Sequence, residues 1–241
     1  MTSIEHEGVR LLTDPGFIPP PAQDGPPGGI RWLRANVARF SSGDQHRRRR
    51  DLVVGLLAAI DPASLRERAR ELTASLRAEG FSNGDIARHV PVTVLGAALG
   101  LADTDADAVR TIAAHYRLDT DDAEADAAVA LLVKAFGGVA DESTASGIGL
   151  LVQACDATAG LIDNAVRRNA ASVESAEYMV AETILNDPPV RATVRKSVAS
   201  GALVPVDLSM VPFGAGAHHC PGSDHAIAIA IGACEVLRDA A

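Results

Sequence analysis

The run Ala226-Ile227-Ala228-Ile229-Ala230-Ile231 leaves no polar face on a helix. Such a helix has no side to give to water, so other elements must surround it. The helix predicted over 223–238 is therefore a buried one, and the segment that leads into it is held against the core. That segment is a glycine-rich loop carrying a cysteine, from Val211 to Gly222, with Gly214, Gly216, His218, His219, Cys220 and Pro221 inside it. The surrounding material must be aliphatic. The 241 residues are 47% hydrophobic, which permits a sizeable core, but only 3% aromatic, so Ala, Leu, Val and Ile must fill it.

The rest of the chain reads as helices. Residues 14–29 are rich in Pro and Gly and read as a loop. Helical signals begin near Ile30. Asp61-Pro62 predicts a helix start, with Asp as the cap and Pro in the first turn. Leu65, Ala69, Leu72 and Leu76 share one face of that helix, and Gly80 ends it. Ser82 with Asp85 three residues on predicts a capping box. The acidic segments 103–107 and 119–126 read as solvent-exposed turns. Long helical patterns cover 143–168 and 173–186, the second stopped by Pro188-Pro189. Strand signals are weak and confined to about 190–212. No internal repeat occurs. The expected fold class is mostly α with little β structure.

A net charge of −9 argues against nucleic acid as a partner. Three widely spaced cysteines, Cys155, Cys220 and Cys234, with no C-x-x-C, fit free thiols in a reducing cytoplasm. Residues 1–10 are polar and lack the apolar centre of a signal peptide. No uninterrupted apolar run reaches the roughly 18 residues of a membrane span. A soluble cytoplasmic protein is the expectation. Against the acidic balance stands one basic block, Arg47 to Arg50.

The chemistry is concentrated at Cys220. Backbone N–H groups of a turn and of a following helix favour the anionic form of a sulfur placed there. Glycines let the backbone approach something flat and large. Together the segment resembles the heme-binding signature of the cytochrome P-450 family, F-x-x-G-x-x-x-C-x-G, filled by Phe213, Gly216, Cys220 and Gly222. Other stretches resemble the same family. His46 and Arg50 match its H-x-x-x-R, whose side chains bind a heme propionate. Asp187 to Arg195 matches a segment ending in a propionate-binding arginine, and His218 would be a fourth contact. Val90 to Leu101 is similar to the family's PVxVIxxLLG helix, and Leu150 to Gly160 to the central helix that crosses the heme.

The chain also departs from the pattern. It is shorter than a full member, and only seventeen residues separate Arg195 from Phe213. The family's E-x-x-R falls on Glu182 and Leu185, so its arginine is missing. Glu182 is therefore expected to be exposed or repartnered. In the central helix the acid-Thr pair falls on Asp156 and Ala157, with Thr158 one residue late. The resemblance implies a single P-450-like domain over 1–241 that binds heme b through Cys220. It would oxidise a small apolar organic molecule, with Asp156, Ala157 and Thr158 at the reacting side. Oxygen with a ferredoxin and reductase, or peroxide directly, would be the oxidant. The alternative is an altered P-450-like auxiliary or binding protein serving a partner enzyme, or a non-redox heme-dependent cyclase or isomerase.

Overall fold

The computed structural model describes residues 3–116, 122–168 and 174–238. The elements are α1 (Ser3–Thr13), β1 (Phe17–Ile18), α2 (Ile30–Ala35), a 3-10 turn at Ala38–Phe40, α3 (Gly43–Ala58), α4 (Pro62–Ala78) and α5 (Asn83–Ala98). They continue with α6 (Ala106–Ala114), α7 (Ala123–Ala135), α8 (Glu142–Arg168), α9 (Ala176–Asn186), β2 (Ala192–Ser197), β3 (Leu203–Asp207), a 3-10 turn at Gly216–His218 and α10 (Ser223–Leu237). The mostly α expectation holds.

Local signals set several boundaries. The Asp61 carboxylate accepts from the Ala63 N–H at 3.0 Å, and the Ser82 hydroxyl accepts from the Asp85 N–H at 3.2 Å. Gly80 ends α4 with a positive φ of 89°. Three expectations need correction. The loop 14–29 contains β1, which the sequence did not signal. The acidic segment 103–107 is only partly a turn, because Asp105 caps α6 through the Ala108 N–H at 2.9 Å. Asp122 likewise caps α7, so the second acidic segment runs into a helix, while 119–121 lie outside the described residues.

α8 is the central element, packing on α3, α5, α6, α7, α9 and α10. It is long and apolar enough by composition to cross a membrane, but 67% of that apolar window is buried inside this fold. α10 packs on α4, α5, α8 and α9, as its lack of a polar face requires. It approaches α4 so closely that a Cβ at Gly232 would lie 2.1 Å from the Arg66 carbonyl oxygen. Arg66 then ties three helices, donating to Glu235 of α10 at 2.9 Å and to Glu177 of α9.

The strands form an antiparallel sheet in the order β1-β2-β3, with Phe17 opposite Ser197 and Arg195 opposite Val204. A second, smaller core joins this sheet to α1: Leu11, Leu12, Val206 and Leu208, with Val211 and Ala215 packed against it. The cysteine loop therefore starts from the small core and ends on α10, in the large one.

Candidate functional site

Between the two cores lies a cavity of about 550 Å³. One wall is α8. Ser146, Gly149, Gln153, Ala157 and Leu161 line it at spacings of three and four, so one helix face supplies them. Facing it are α3, β2 and the cysteine loop, which bring His46, Arg50, Arg195, Phe213, His218, Cys220 and Gly222 to the same space.

The H-x-x-x-R spacing places His46 and Arg50 on one face of α3. The His46 ring packs on that of His218, with centroids 3.9 Å apart. The Arg50 guanidinium donates to the His219 carbonyl at 2.5 Å, which ties α3 to the loop. Arg195 is only 6% exposed. Its Nη1 donates to the Val194 carbonyl at 3.2 Å, while its buried Nε has no partner among the described residues. His225, which belongs to none of the motifs, also lines the cavity and anchors α10, its Nε2 donating to the Leu57 and Ile60 carbonyls at 3.1 Å.

Electrostatically, the site has one sign. Among its described lining residues are three guanidiniums, of Arg39, Arg50 and Arg195, and no carboxylate. Burial first, then the nearby positive groups His46, Arg195 and Arg50, pushes His218 down to about 3. Burial and Arg50 lower His46. Cys220 corrects a sequence expectation. The Gly222 backbone N–H and Arg50 do favour its thiolate, but burial outweighs them and the thiol's pKa is raised.

Two further expectations are corrected. Asp156 is exposed and is absent from the cavity wall. On α8 the wall passes through Ala157 and Thr158, and the residue before them falls on the solvent side. Thr158 is 2% exposed and lines the cavity, so its position one residue late does not carry it away. Gly216 also lies off the cavity. Its positive φ of 67° and the Leu12 carbonyl, 3.2 Å from where a Cβ would be, make it a packing point against the end of α1. Gly214, at φ 73°, does line the space, as Gly222 does. Glu182 is repartnered as expected, to Arg168 at 3.1 Å, and Leu185 stands 72% exposed.

No protein-family model and no curated protein matches the sequence. Solved structures do match in three dimensions. P450BioI, in complex with an acyl carrier protein ligated to hexadec-9Z-enoic acid, superposes with a TM-score of 0.75 at 16% identity, over 96% of this chain and 82% of that one. P450 RauA, complexed with a biosynthetic intermediate of aurachin RE, gives 0.71 at 17% identity, over 98% and 82%. A thermophilic cytochrome P450 from Sulfolobus tokodaii gives 0.69 at 19% identity, over 95% and 78%. The architecture is that of the cytochrome P450 fold.

Proposed function

We propose that the chain is a heme-thiolate oxidoreductase, monooxygenase- or peroxygenase-like, with residues 1–241 as one heme-binding domain and Cys220 as the iron ligand. The observation that carries this is the cavity wall itself: a buried Arg195 with an unpartnered Nε, a half-buried Arg50 and a cysteine, with no carboxylate among the described lining residues. Burying such charge without a partner is costly. Heme b answers that surface, since it is flat, largely apolar and carries two carboxylates. Arg50 and Arg195, aided by His46 and His218, would hold those carboxylates. Phe213, Gly214 and Gly222 would shape the approach to it.

When bound through a thiolate, heme supplies iron with raised electron density, which favours O–O cleavage. The chain's own residues do the rest. The aliphatic face of α8 and Pro188-Pro189 keep water out and hold an apolar organic substrate. The Thr158 hydroxyl is the group of the Asp156–Thr158 triplet that can hold a proton or a water inside the cavity, because Ala157 has none to offer and Asp156 faces solvent. A ferredoxin and reductase would supply electrons, or peroxide would replace them. With Ala157 where the family has a hydroxyl, peroxide is the better matched oxidant.

A second reading is an auxiliary protein, serving a partner enzyme, or a non-redox heme-dependent cyclase or isomerase. Ala157 and the Glu182–Arg168 pair in place of the family's E-x-x-R favour it. The test begins with the spectrum. The reduced, carbonyl-bound protein is expected to show the red-shifted Soret band of a thiolate heme, and Cys220→Ala to abolish it. A colourless protein after heme supplementation overturns the proposal. Bound heme without product, under either peroxide or ferredoxin and reductase, selects the second reading.

A further inference from the structure

Four consecutive residues of β2, Ala192, Thr193, Val194 and Arg195, line the cavity. Successive side chains of a strand point to opposite faces of its sheet, so no single face presents all four. The cavity therefore meets β2 along an edge, where the backbone groups stand.

The ladder fixes which groups those are. Towards β3, the Ser197 N–H donates to the Ala202 carbonyl and the Leu208 N–H to the Arg191 carbonyl, both at 2.8 Å. Antiparallel bonding alternates along a strand, so residues 191, 193, 195 and 197 direct their backbone groups to β3. Ala192, Val194 and Lys196 turn theirs to the other edge. There β1 sets Phe17 opposite Ser197 and Ile18 opposite Lys196, and the Val198 N–H donates to the Gly16 carbonyl at 2.9 Å. The same register would set Pro20 opposite Val194, and proline has no N–H to give. The pairing stops, and Pro19 and Pro20 border the cavity instead. The Val194 carbonyl accepts from Arg195 Nη1 at 3.2 Å. The Ala192 N–H, the Ala192 carbonyl and the Val194 N–H are left without a partner among the described residues. Ala192 and Val194 are both exposed, so a ligand in the cavity reaches them.

A donor and an acceptor on one residue, with a second donor two residues on, repeat at about 7 Å along the edge. An extended peptide carries the complementary groups at that repeat. A lone hydroxyl or ketone answers only one of the three. The cavity's volume of about 550 Å³ is that of a small-ligand pocket, so the added strand is a short one.

We propose that the cavity binds a short extended peptide, or a molecule built on such amides, by adding it as a strand to the open edge of β2 at Ala192 and Val194. Its apolar side chains lie along the aliphatic face of α8. The inference names the substrate class of the proposed heme protein, and its catalytic meaning rests on that reading.

The test measures binding to the heme-loaded protein by equilibrium dialysis. The probes are N-acetyl-trileucine methylamide and its fully N-methylated analogue, which cannot pair as a strand. The unmethylated peptide is expected to bind at least roughly tenfold more tightly, as two or three backbone hydrogen bonds warrant. Amide hydrogen exchange at Ala192 and Val194 should slow when that peptide saturates the protein. Ala192→Pro removes an N–H that the ladder to β3 does not use, so the sheet and the heme band should survive and the preference should vanish. Equal affinity for the two probes overturns the proposal, and so does a preference without slowed exchange at either amide. Both measurements are made on the unmutated protein, so they decide the matter even if Ala192→Pro does not fold. Spectra of the same samples separate the two failures. A protein that holds no heme but keeps the preference and the slowed exchange ends the cofactor reading and leaves strand addition standing. With heme bound and no preference, strand addition alone falls.

Discussion

Arg47, Arg48 and Arg49 of α3, the first two exposed and the third buried, all find carboxylates within the chain. Arg47 pairs with Asp44, and Arg48 and Arg49 share Glu142 at 2.8 and 2.9 Å. Arg50, one residue further on, finds among the described residues the His219 carbonyl and no carboxylate, and turns to the cavity. Arg195 across the space is in the same position, with a buried Nε left over. Four consecutive arginines thus divide between a completed surface and an incomplete one. The pairs of Arg47 and Arg48 are worth little individually, since those side chains face water, whereas Arg49 is buried and its charge is met by Glu142. The inner groups are costly as they stand and become valuable when something anionic joins them. A basic block in an acidic chain is therefore two features, and on the proposed function only the part that lines the cavity would bear on binding.

The largest expected break between the two faces is in cofactor retention. Arg50→Ala should lose heme about a hundredfold more readily than Arg47→Ala, for the roughly 2–3 kcal/mol of a charged hydrogen bond. A heme-transfer assay measures it, and equal rates would make the whole block a solvated surface. A smaller effect of opposite sign is expected at Arg195. If its guanidinium is uncompensated in the heme-free protein, Arg195→Leu should stabilise that form by about 1–2 kcal/mol in denaturant unfolding, while weakening heme binding. Destabilisation of the heme-free form would mean that the chain already satisfies this group.

The smallest effect belongs to the outer face. Hydrogen bonding and charge from Arg48 and Arg49 hold Glu142 down to about 2, below its usual 4.5. A carboxylate with a lowered folded-state pKa stabilises the fold above its unfolded pKa and loses that contribution as pH falls toward 2. Glu142→Gln should therefore be slightly less stable than the unmutated chain at pH 7, with the gap closing on acidification between about 4.5 and 2. Thermal unfolding across that range checks it, and a gap independent of pH would remove the ion pairs from the account.

Legibility followed the range of the interaction. Helix starts at Asp61 and Ser82 were readable because capping is local and has a residue code. β1 was not, because its two residues owe their strand geometry to Ser197 and Lys196, far along the chain. The cavity's His46, Arg50, Arg195, His218 and Cys220 were found by motif, and the fold brings all five to one space. Asp156 and Gly216 show where motif matching fails. A motif fixes sequence position, but which side of α8 faces inward depends on how the helix is rotated against its neighbours.

The bond from Arg50 to the His219 carbonyl spans 169 positions, and that from His225 to Leu57 spans 168. At about 5–20 residues per second, a ribosome takes roughly ten to thirty seconds to travel that distance. For that interval a nascent chain carries the anion-seeking half of the site with no sulfur opposite it. Contacts of such long separation also close slowly, because the loop must be ordered before any contact rewards it. On the proposed heme-thiolate reading, acquisition of the prosthetic group would fall after synthesis of the cysteine loop, and a heme-starved cell would accumulate a protein whose last folding step is still pending.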